Sequence, residues 1–207
     1  MESDRRSFLA GAVAGAAPLF VPRSAWGAND KLNFALIAAG GRGRYLSRTF
    51  REAGTVCSAI AEVYAPNMDK ALSEAPGAKP YVDYEELLAK EKVDFVVLAG
   101  PDHHHCPMIL KSLAAKKDIY TEKPLSKSLE ESATIVAAVR KTDRIVQVGM
   151  QRRSAPAIHQ AKKLVDDGIL GRITLVKPQW HWNVSQPLDN SPLPGNLDWK
   201  RFLGNAP

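Results

Sequence analysis

Cysteine is scarce in this sequence: Cys57 and Cys106 are the only two among 207 residues. Two thiols cannot build a disulfide framework. Export would permit them to pair, whereas the position of Cys57 inside a predicted buried strand favours a packed free thiol. Aromatic residues make up only 7% and are not interleaved with the 28 lysines and arginines in a stripe. That pattern excludes a nucleic-acid groove and leaves the basic residues as a solvated surface. After Val21 no run is apolar enough to cross a bilayer. His103, His104 and His105 are adjacent, but three consecutive histidines cannot converge on one ion from a regular helix or strand. No carboxylate-rich partner motif accompanies them, so no metal is expected.

Asn33 to Glu62 is the stretch around which the chain is organised. Phe34-Ala35-Leu36-Ile37-Ala38 is a short apolar run that passes into Ala39-Gly40-Gly41-Arg42-Gly43, then a helical stretch to Ala53. A second apolar run, Val56 to Ala61, ends on Glu62. Strand, glycine turn, helix, strand and carboxylate is the order of a dinucleotide-binding βαβ unit. Glycine lets a pyrophosphate approach the main chain closely. A helix beginning near Arg42 offers unpaired N–H groups and a positive dipole end to the phosphates. Glu62 lies 19 residues after Gly43, close to the spacing at which an acid accepts the adenosine ribose hydroxyls. A carboxylate there repels a 2′-phosphate, which favours NAD over NADP. Aligned as G-x-G-x-x-G, the motif has Ala38 in its first glycine position, a mild departure that keeps a small residue.

Strands and helices continue to alternate. Ala65 to Ala75 reads as a helix, and Asp83-Tyr84-Glu85-Glu86 resembles a capping box opening a helix to Lys90. Asp94 to Leu98 is a core strand, Pro107 to Lys117 a helix and Asp118 to Thr121 a strand. Ser128-Leu129-Glu130-Glu131 opens a helix to Thr142, and Arg144 to Val148 is a strand. This spacing predicts an α/β fold, a Rossmann-type parallel sheet with helices on both faces, over residues 29–150. Ligands of such sheets lie beyond the carboxyl ends of the strands. The loops there are Gly100 to His105, Thr121-Glu122-Lys123-Pro124 and Gly149-Met150-Gln151-Arg152-Arg153, all expected on the edge that carries Gly40 to Gly43. Arg152 and Arg153 are read equally as an anion-binding pair or a solvated one.

Before this domain, Asp4-Arg5-Arg6-Ser7-Phe8-Leu9 is a twin-arginine pattern, followed by an Ala- and Gly-rich run from Ala10 to Val21. The run is shorter than the ~20 residues of a membrane-spanning helix and reads as an export signal over residues 1–28, with a cut near Ala28. A disordered basic tail or an uncleaved anchor are the alternatives. The signal implies a periplasmic or extracytoplasmic protein whose partner is the twin-arginine export machinery. That route carries folded proteins, so a nucleotide cofactor would be inserted before export. Without the signal the formal charge of +6 becomes +5, because Arg5, Arg6 and Arg23 outweigh Glu2 and Asp4 by one.

Taken together, the glycine turn, Pro101-Asp102-His103-x-His105, Glu122-Lys123-Pro124 and Gly149-Met150-Gln151-Arg152-Arg153 resemble the glucose–fructose oxidoreductase, inositol dehydrogenase and MocA (Gfo/Idh/MocA) family. The likeness runs from about Leu32 to the end. It implies an NAD(P)-dependent oxidoreductase that moves a hydride between a nicotinamide and a sugar, polyol or related hydroxy compound. Lys123 would be the catalytic lysine beside the nicotinamide, donating a hydrogen bond or proton to the substrate oxygen. Gly40, Gly41, Arg42, Gly43 and Glu62 would hold the pyrophosphate and adenosine. Pro101, Asp102, His103, His105 and Glu122 would hold the nicotinamide ribose and shape the pocket floor, with Pro124 fixing the loop. NAD-dependent glycosidases on the same scaffold are an alternative, as is a non-catalytic nucleotide-binding module.

Ala155 to Asp167 reads as a helix capped by Gly168, and Ile173 to Trp182 as a long strand with Trp180 and Trp182 on one face. They would begin a second, α+β domain over residues 151–207, responsible in the family for substrate and homo-oligomer contacts. Asp198 to Leu203 is a possible short helix. One strand leaves its backbone groups without neighbours, and neither His159 nor His181 matches the family's further histidine. The sequence therefore reads as a truncated chain, able to hold a dinucleotide while lacking the family's later acid and histidine.

Overall fold

Side chains alternate along β1 (Asn33–Ile37) between two buried layers: Phe34 and Leu36 turn to one, Ala35 and Ile37 to the other. A strand has a side-chain period of two, so burial on both faces makes the whole run apolar. The computed structural model describes residues 31–179 and 191–206. Two units divide the chain, Met1–Lys31 and Leu32–Pro207, and every element below belongs to the second.

The elements follow in chain order: α1 (Gly41–Glu52), β2 (Val56–Ala61), α2 (Ala65–Glu74), β3 (Lys79–Tyr81), α3 (Tyr84–Lys90), β4 (Phe95–Leu98) and α4 (Asp102–Ala114). After these come β5 (Asp118–Glu122), α5 (Leu129–Val139), β6 (Val146–Gly149), a 3-10 turn (Gln151–Ser154), α6 (Pro156–Asp166) and α7 (Trp199–Leu203). The six strands are all parallel, in the order β3-β2-β1-β4-β5-β6. That order reverses direction between β1 and β4, and the crevice beyond their carboxyl ends is where such sheets bind ligands.

One layer of core joins Phe34, Leu36, Ile60 and Val97 to Leu46 of α1 and Met68 and Ala71 of α2. The other joins Ile37, Ala61, Val96 and Leu98 to Leu87 of α3, Ile109 and Leu113 of α4 and Ile135 of α5. Helices thus cover both faces, as the alternation of elements predicts. Cys57 and Cys106 are both buried free thiols, and burial pushes both thiols up.

Several elements differ from the sequence expectation. Strand β3 is three residues long and carries Pro80, so no periodic pattern announces it. Helix α4 begins at Asp102, which places Asp102 to His105 in its first turn rather than in a loop. Pro107 lies inside α4; proline usually marks a first helical turn, and the expected start at Pro107 follows from that habit. The helix expected from Ala155 is present as α6, whereas the described part of the long run after it is not a strand. Residues 173–179 carry no strand, and Trp180 to Trp182 lie outside the described residues. Without a neighbouring strand to pair its N–H and C=O groups, an apolar run does not become a sheet.

Candidate functional site

Beyond Ile37 the chain bends through Ala38, which has a positive φ of 70°. An alanine there is strained, since its Cβ crowds the backbone in the left-handed region. The bend is fixed by the Ala38 N–H donating to Ala61 O at 2.8 Å and the Arg44 N–H donating to Gly40 O at 3.0 Å. Gly40 caps α1 without any side-chain hydrogen bond, and no acid occupies the first turn. The leading N–H groups of α1 are therefore left for an anion.

The three glycines of the turn serve different ends. A Cβ on Gly43 would fall well inside contact distance of the Ala38 carbonyl oxygen, so Gly43 lets α1 pack onto β1. A Cβ on Gly40 or Gly41 would meet nothing within 4 Å. Their bareness opens space for something outside the chain. Both face a cavity of about 700 Å³, lined also by Arg42, Glu62, Tyr64, Asn67 and Pro101. That volume lies in the range of small-molecule and cofactor sites, roughly 300–1,000 Å³.

Glu62 follows β2 directly. Its Oε2 accepts the Ala39 N–H at 2.7 Å, and its Oε1 accepts the Val63 and Tyr64 N–H groups at 2.8 and 2.9 Å. The acid therefore stands against the glycine bend, as the 19-residue spacing predicts. Oε1 already has two donors and Oε2 one, which leaves Oε2 able to accept one more, such as a ribose hydroxyl. Arg42 reaches the opposite way, donating to Glu122 Oε1 from Nε at 2.8 Å and Nη2 at 2.6 Å. This pair ties the glycine turn to the end of β5, and Glu122 is only 6% exposed.

Around β4 and β5 the residues separate into distinct roles. Pro101 lines the cavity, whereas Asp102 is exposed at the start of α4. His105 is buried, with Nε2 at 2.9 Å from Gly100 O and Nδ1 against Pro124 O. It thereby fastens the loop after β4 to the loop after β5, and a neutral imidazole can donate to only one of those carbonyls. His103 does not line the cavity; its Nε2 and that of His104 both lie against Phe202 O, at 3.0 and 2.9 Å. Lys123 is exposed, joined to Pro124 by a cis peptide, and makes no hydrogen bond or ion pair with another described residue. Arg152 and Arg153 are exposed.

The sequence does not point to the rest of the cavity wall: Tyr64, Asp83, Tyr84, His104, Leu197, Arg201 and Phe202. Asp83 is legible as a helix cap and accepts the Glu85 N–H at 2.8 Å. Its place at the mouth depends on β3, which the pattern hides. Burial pushes the Tyr84 phenol up to about 12, with Glu85 and Asp83 adding to the effect, so the phenol keeps its proton at ordinary pH.

The glycine cradle, the free helix N-terminus and the partly satisfied Glu62 carboxylate fit a dinucleotide. Comparison with known proteins agrees. Residues 32–150 match the Gfo/Idh/MocA family model, described as an oxidoreductase family with an NAD-binding Rossmann fold. Inositol 2-dehydrogenase of Corynebacterium glutamicum is 34% identical over 152 residues, 72% of this chain and 45% of the relative. The scyllo-inositol 2-dehydrogenase (NAD(+)) of Bacillus subtilis is 40% identical over 90 residues, 44% of this chain and 26% of the relative. Among solved structures, myo-inositol dehydrogenase from Lactobacillus casei in complex with NAD(H) and myo-inositol superposes with a TM-score of 0.63 at 28% identity, covering 68% of this chain and 43% of that one. The chain spans less than half the length of the curated relatives it matches.

Proposed function

The chain belongs to the Gfo/Idh/MocA oxidoreductase family, and from that membership we propose that the protein is an NAD-dependent oxidoreductase acting on a polyol or sugar hydroxyl. The observation that carries the reading is the meeting of Glu62 with the glycine bend on the wall of one cavity. Bound there, NAD would supply the hydride acceptor. Gly40, Gly41 and the N–H groups of α1 would hold its pyrophosphate, and Glu62 would accept a ribose hydroxyl and repel a 2′-phosphate.

Lys123 is the residue assigned to the substrate oxygen. Its support is position: it directly follows Glu122, which Arg42 ties to the glycine turn, and its ammonium is committed to no other described group. A lysine so placed can donate a hydrogen bond or exchange a proton with a hydroxyl. His105 positions it by holding the Pro124 carbonyl.

Two measurements test this. Calorimetry should show NAD bound more tightly than NADP. The absorbance of reduced nicotinamide should then rise when inositols or sugars are offered with NAD, and Lys123→Ala should abolish the rise while leaving NAD binding intact. Release of an aglycone without net reduction of NAD would move the assignment to a glycosidase. Failure to bind either dinucleotide would end the cofactor reading.

Export by the twin-arginine route belongs to the same proposal, supported by Arg5-Arg6 and the Ala- and Gly-rich run after them. Changing both arginines to lysine should retain a fused reporter in the cytoplasm. Homo-oligomerisation is likewise proposed; its support is the exposed apolar surface on and after α6, where Ile158, Leu164, Ile169 and Leu170 are each at least half exposed. Light scattering on the purified protein reads it directly.

A further inference from the structure

The segment 191–206 is fastened across the mouth of the cavity. Leu197 forms an antiparallel bridge with Tyr64. The Ala65 N–H donates to Asn196 O at 2.9 Å, the Asp198 N–H to Val63 O at 2.9 Å, and the Tyr64 hydroxyl to Pro194 O at 2.8 Å. Arg201 donates to Asp83 Oδ2 at 3.3 Å, while the His103 and His104 rings meet Phe202 O. The segment thus grips the chain beyond the ends of β2, β3 and β4.

Two glycines shape it. Gly195 has φ +96°, and a Cβ there would come within 2.7 Å of Pro66 Cγ; Gly204 has φ +52°, and a Cβ there would enter the His104 ring. Both allow the segment to lie flat against the domain. Four of its side chains, Leu193, Leu197, Arg201 and Phe202, then line the cavity together with Gly40, Gly41 and Glu62. Arg201 is paired with both Asp198, at 2.6 Å, and Asp83. It therefore presents a compensated guanidinium plane, suited to stacking on an aromatic base more than to capturing a phosphate.

Direction along the sheet identifies which part of a ligand this wall meets. In the order β3-β2-β1-β4-β5-β6 these contacts of the segment fall just beyond the ends of β2, β3 and β4, and none of them involves β5 or Lys123, which directly follows it. Resting on the NAD reading above, we propose that segment 191–206 is a strap forming the outer wall of the adenosine subsite. Leu197 and Phe202 offer apolar faces to the adenine ring, Arg201 flanks them, and Glu62 takes the ribose hydroxyls from the opposite wall. The nicotinamide half lies outside the strap's reach.

The test separates the two halves of the cofactor. ADP-ribose, NAD and nicotinamide mononucleotide are titrated calorimetrically into the unmodified chain, into Leu197→Ala/Phe202→Ala, and into Lys200→Ala as an exposed control on the same segment. The strap predicts a loss of about tenfold or more in affinity for both ADP-ribose and NAD in the double variant. Nicotinamide mononucleotide should bind equally to both, and Lys200→Ala should match the unmodified chain. Hydrogen exchange on the unmodified chain gives a second readout that requires no variant: ADP-ribose should slow exchange of the Asp198, Phe202 and Gly204 amides. If the unmodified chain binds ADP-ribose without that protection, or the folded double variant binds it equally well, the strap is overturned and the cofactor reading stands. If the unmodified chain binds no ADP-ribose and no NAD, both fall.

Discussion

The carbonyl oxygen of Ala38 occupies the place that a Cβ on Gly43 would need. The first and third positions of the glycine turn are therefore packed against each other, and the chain can close from β1 into α1 only while residue 43 has no side chain. Gly43→Ala must push the backbone of one element away from the other. Overpacking of this kind costs about 1–3 kcal/mol, and the obstacle here is backbone, which yields least. A thermal melt should fall by about 2–12 °C for a domain of this size. An unchanged melting temperature would show that the turn relaxes freely.

The same turn contains a strain that can be relieved. Ala38 holds φ 70°, a conformation costing an L residue roughly 1–2 kcal/mol that glycine avoids. Glycine gives back part of that gain through its greater freedom in the unfolded chain, about 0.5–1 kcal/mol. Ala38→Gly should therefore leave stability unchanged or raise it by about 1 kcal/mol in denaturant titration. A loss of similar size would mean that the Ala38 methyl is needed for packing.

Gly41 gives the opposite combination. It begins α1, and a Cβ there meets no protein atom. Alanine is the better helix former by about 0.8–1.0 kcal/mol in helix interiors, less at an end. Gly41→Ala should thus be at least as stable as the parent, yet bind NAD at least about tenfold more weakly, because the methyl projects into the cavity that the cofactor would fill. Equal affinity would remove Gly41 from the site.

Much of this arrangement was legible because it depends on local chemistry. The run Phe34 to Ala38, the glycines and Glu62 are contiguous or at fixed spacing, and a parallel sheet brings the ends of its strands to one edge whatever the side chains are. Glu122 could be placed at that edge for the same reason. Its partner Arg42 lies 80 positions away, and no local pattern signals the pairing. The surroundings of His103 were not legible, because the sequence reads a loop where a helix starts; with Asp102 opening α4, His103 and His104 turn to Phe202. The wall built by Leu197, Arg201 and Phe202 was invisible for a similar reason. It arises from a return of the chain across more than 100 residues onto Val63 to Ala65, just after β2, and onto Asp83, just after a strand, β3, too short to announce itself.

Glu62 carries three backbone donors as well as the expected ribose contact. Glu62→Gln keeps one carbonyl oxygen but turns an NH2 group toward either the Ala39 N–H or the Val63 and Tyr64 pair. At least one part-buried donor then loses its acceptor, at a cost of up to about 1–3 kcal/mol. Stability should fall by that amount in denaturant titration. The preference for NAD over NADP should also narrow, since the charge that opposes a 2′-phosphate is gone. A variant with unchanged stability would mean that the three N–H groups find water instead.

Acid should loosen the strap through His104. Burial holds its ring below the ordinary 6.5; the Phe202 carbonyl opposes this, and nearby His103 and His105 add to it. A folded value below the unfolded one means that the unfolded chain takes up the proton first as pH falls. The stability contributed by the neutral ring is therefore complete above about pH 6.5 and is lost as pH drops through the lower, folded value. Protonation does not remove the Nε2 donor, but it places a cation beside the His103 ring, 4.3 Å between centroids. Arg201 lies on the same side, compensated by Asp83 and Asp198. The Asp198 carboxyl, held below its ordinary 3.8 by the Arg201 N–H and guanidinium, keeps its charge throughout this window. Melting temperatures of the chain and of His104→Gln should run parallel above pH 7. As pH falls below 6.5 the chain should lose stability more steeply than the variant, because the amide has no proton to gain. Curves that stay parallel below pH 6.5 would show that His104 bears no pH-dependent share of the strap's attachment.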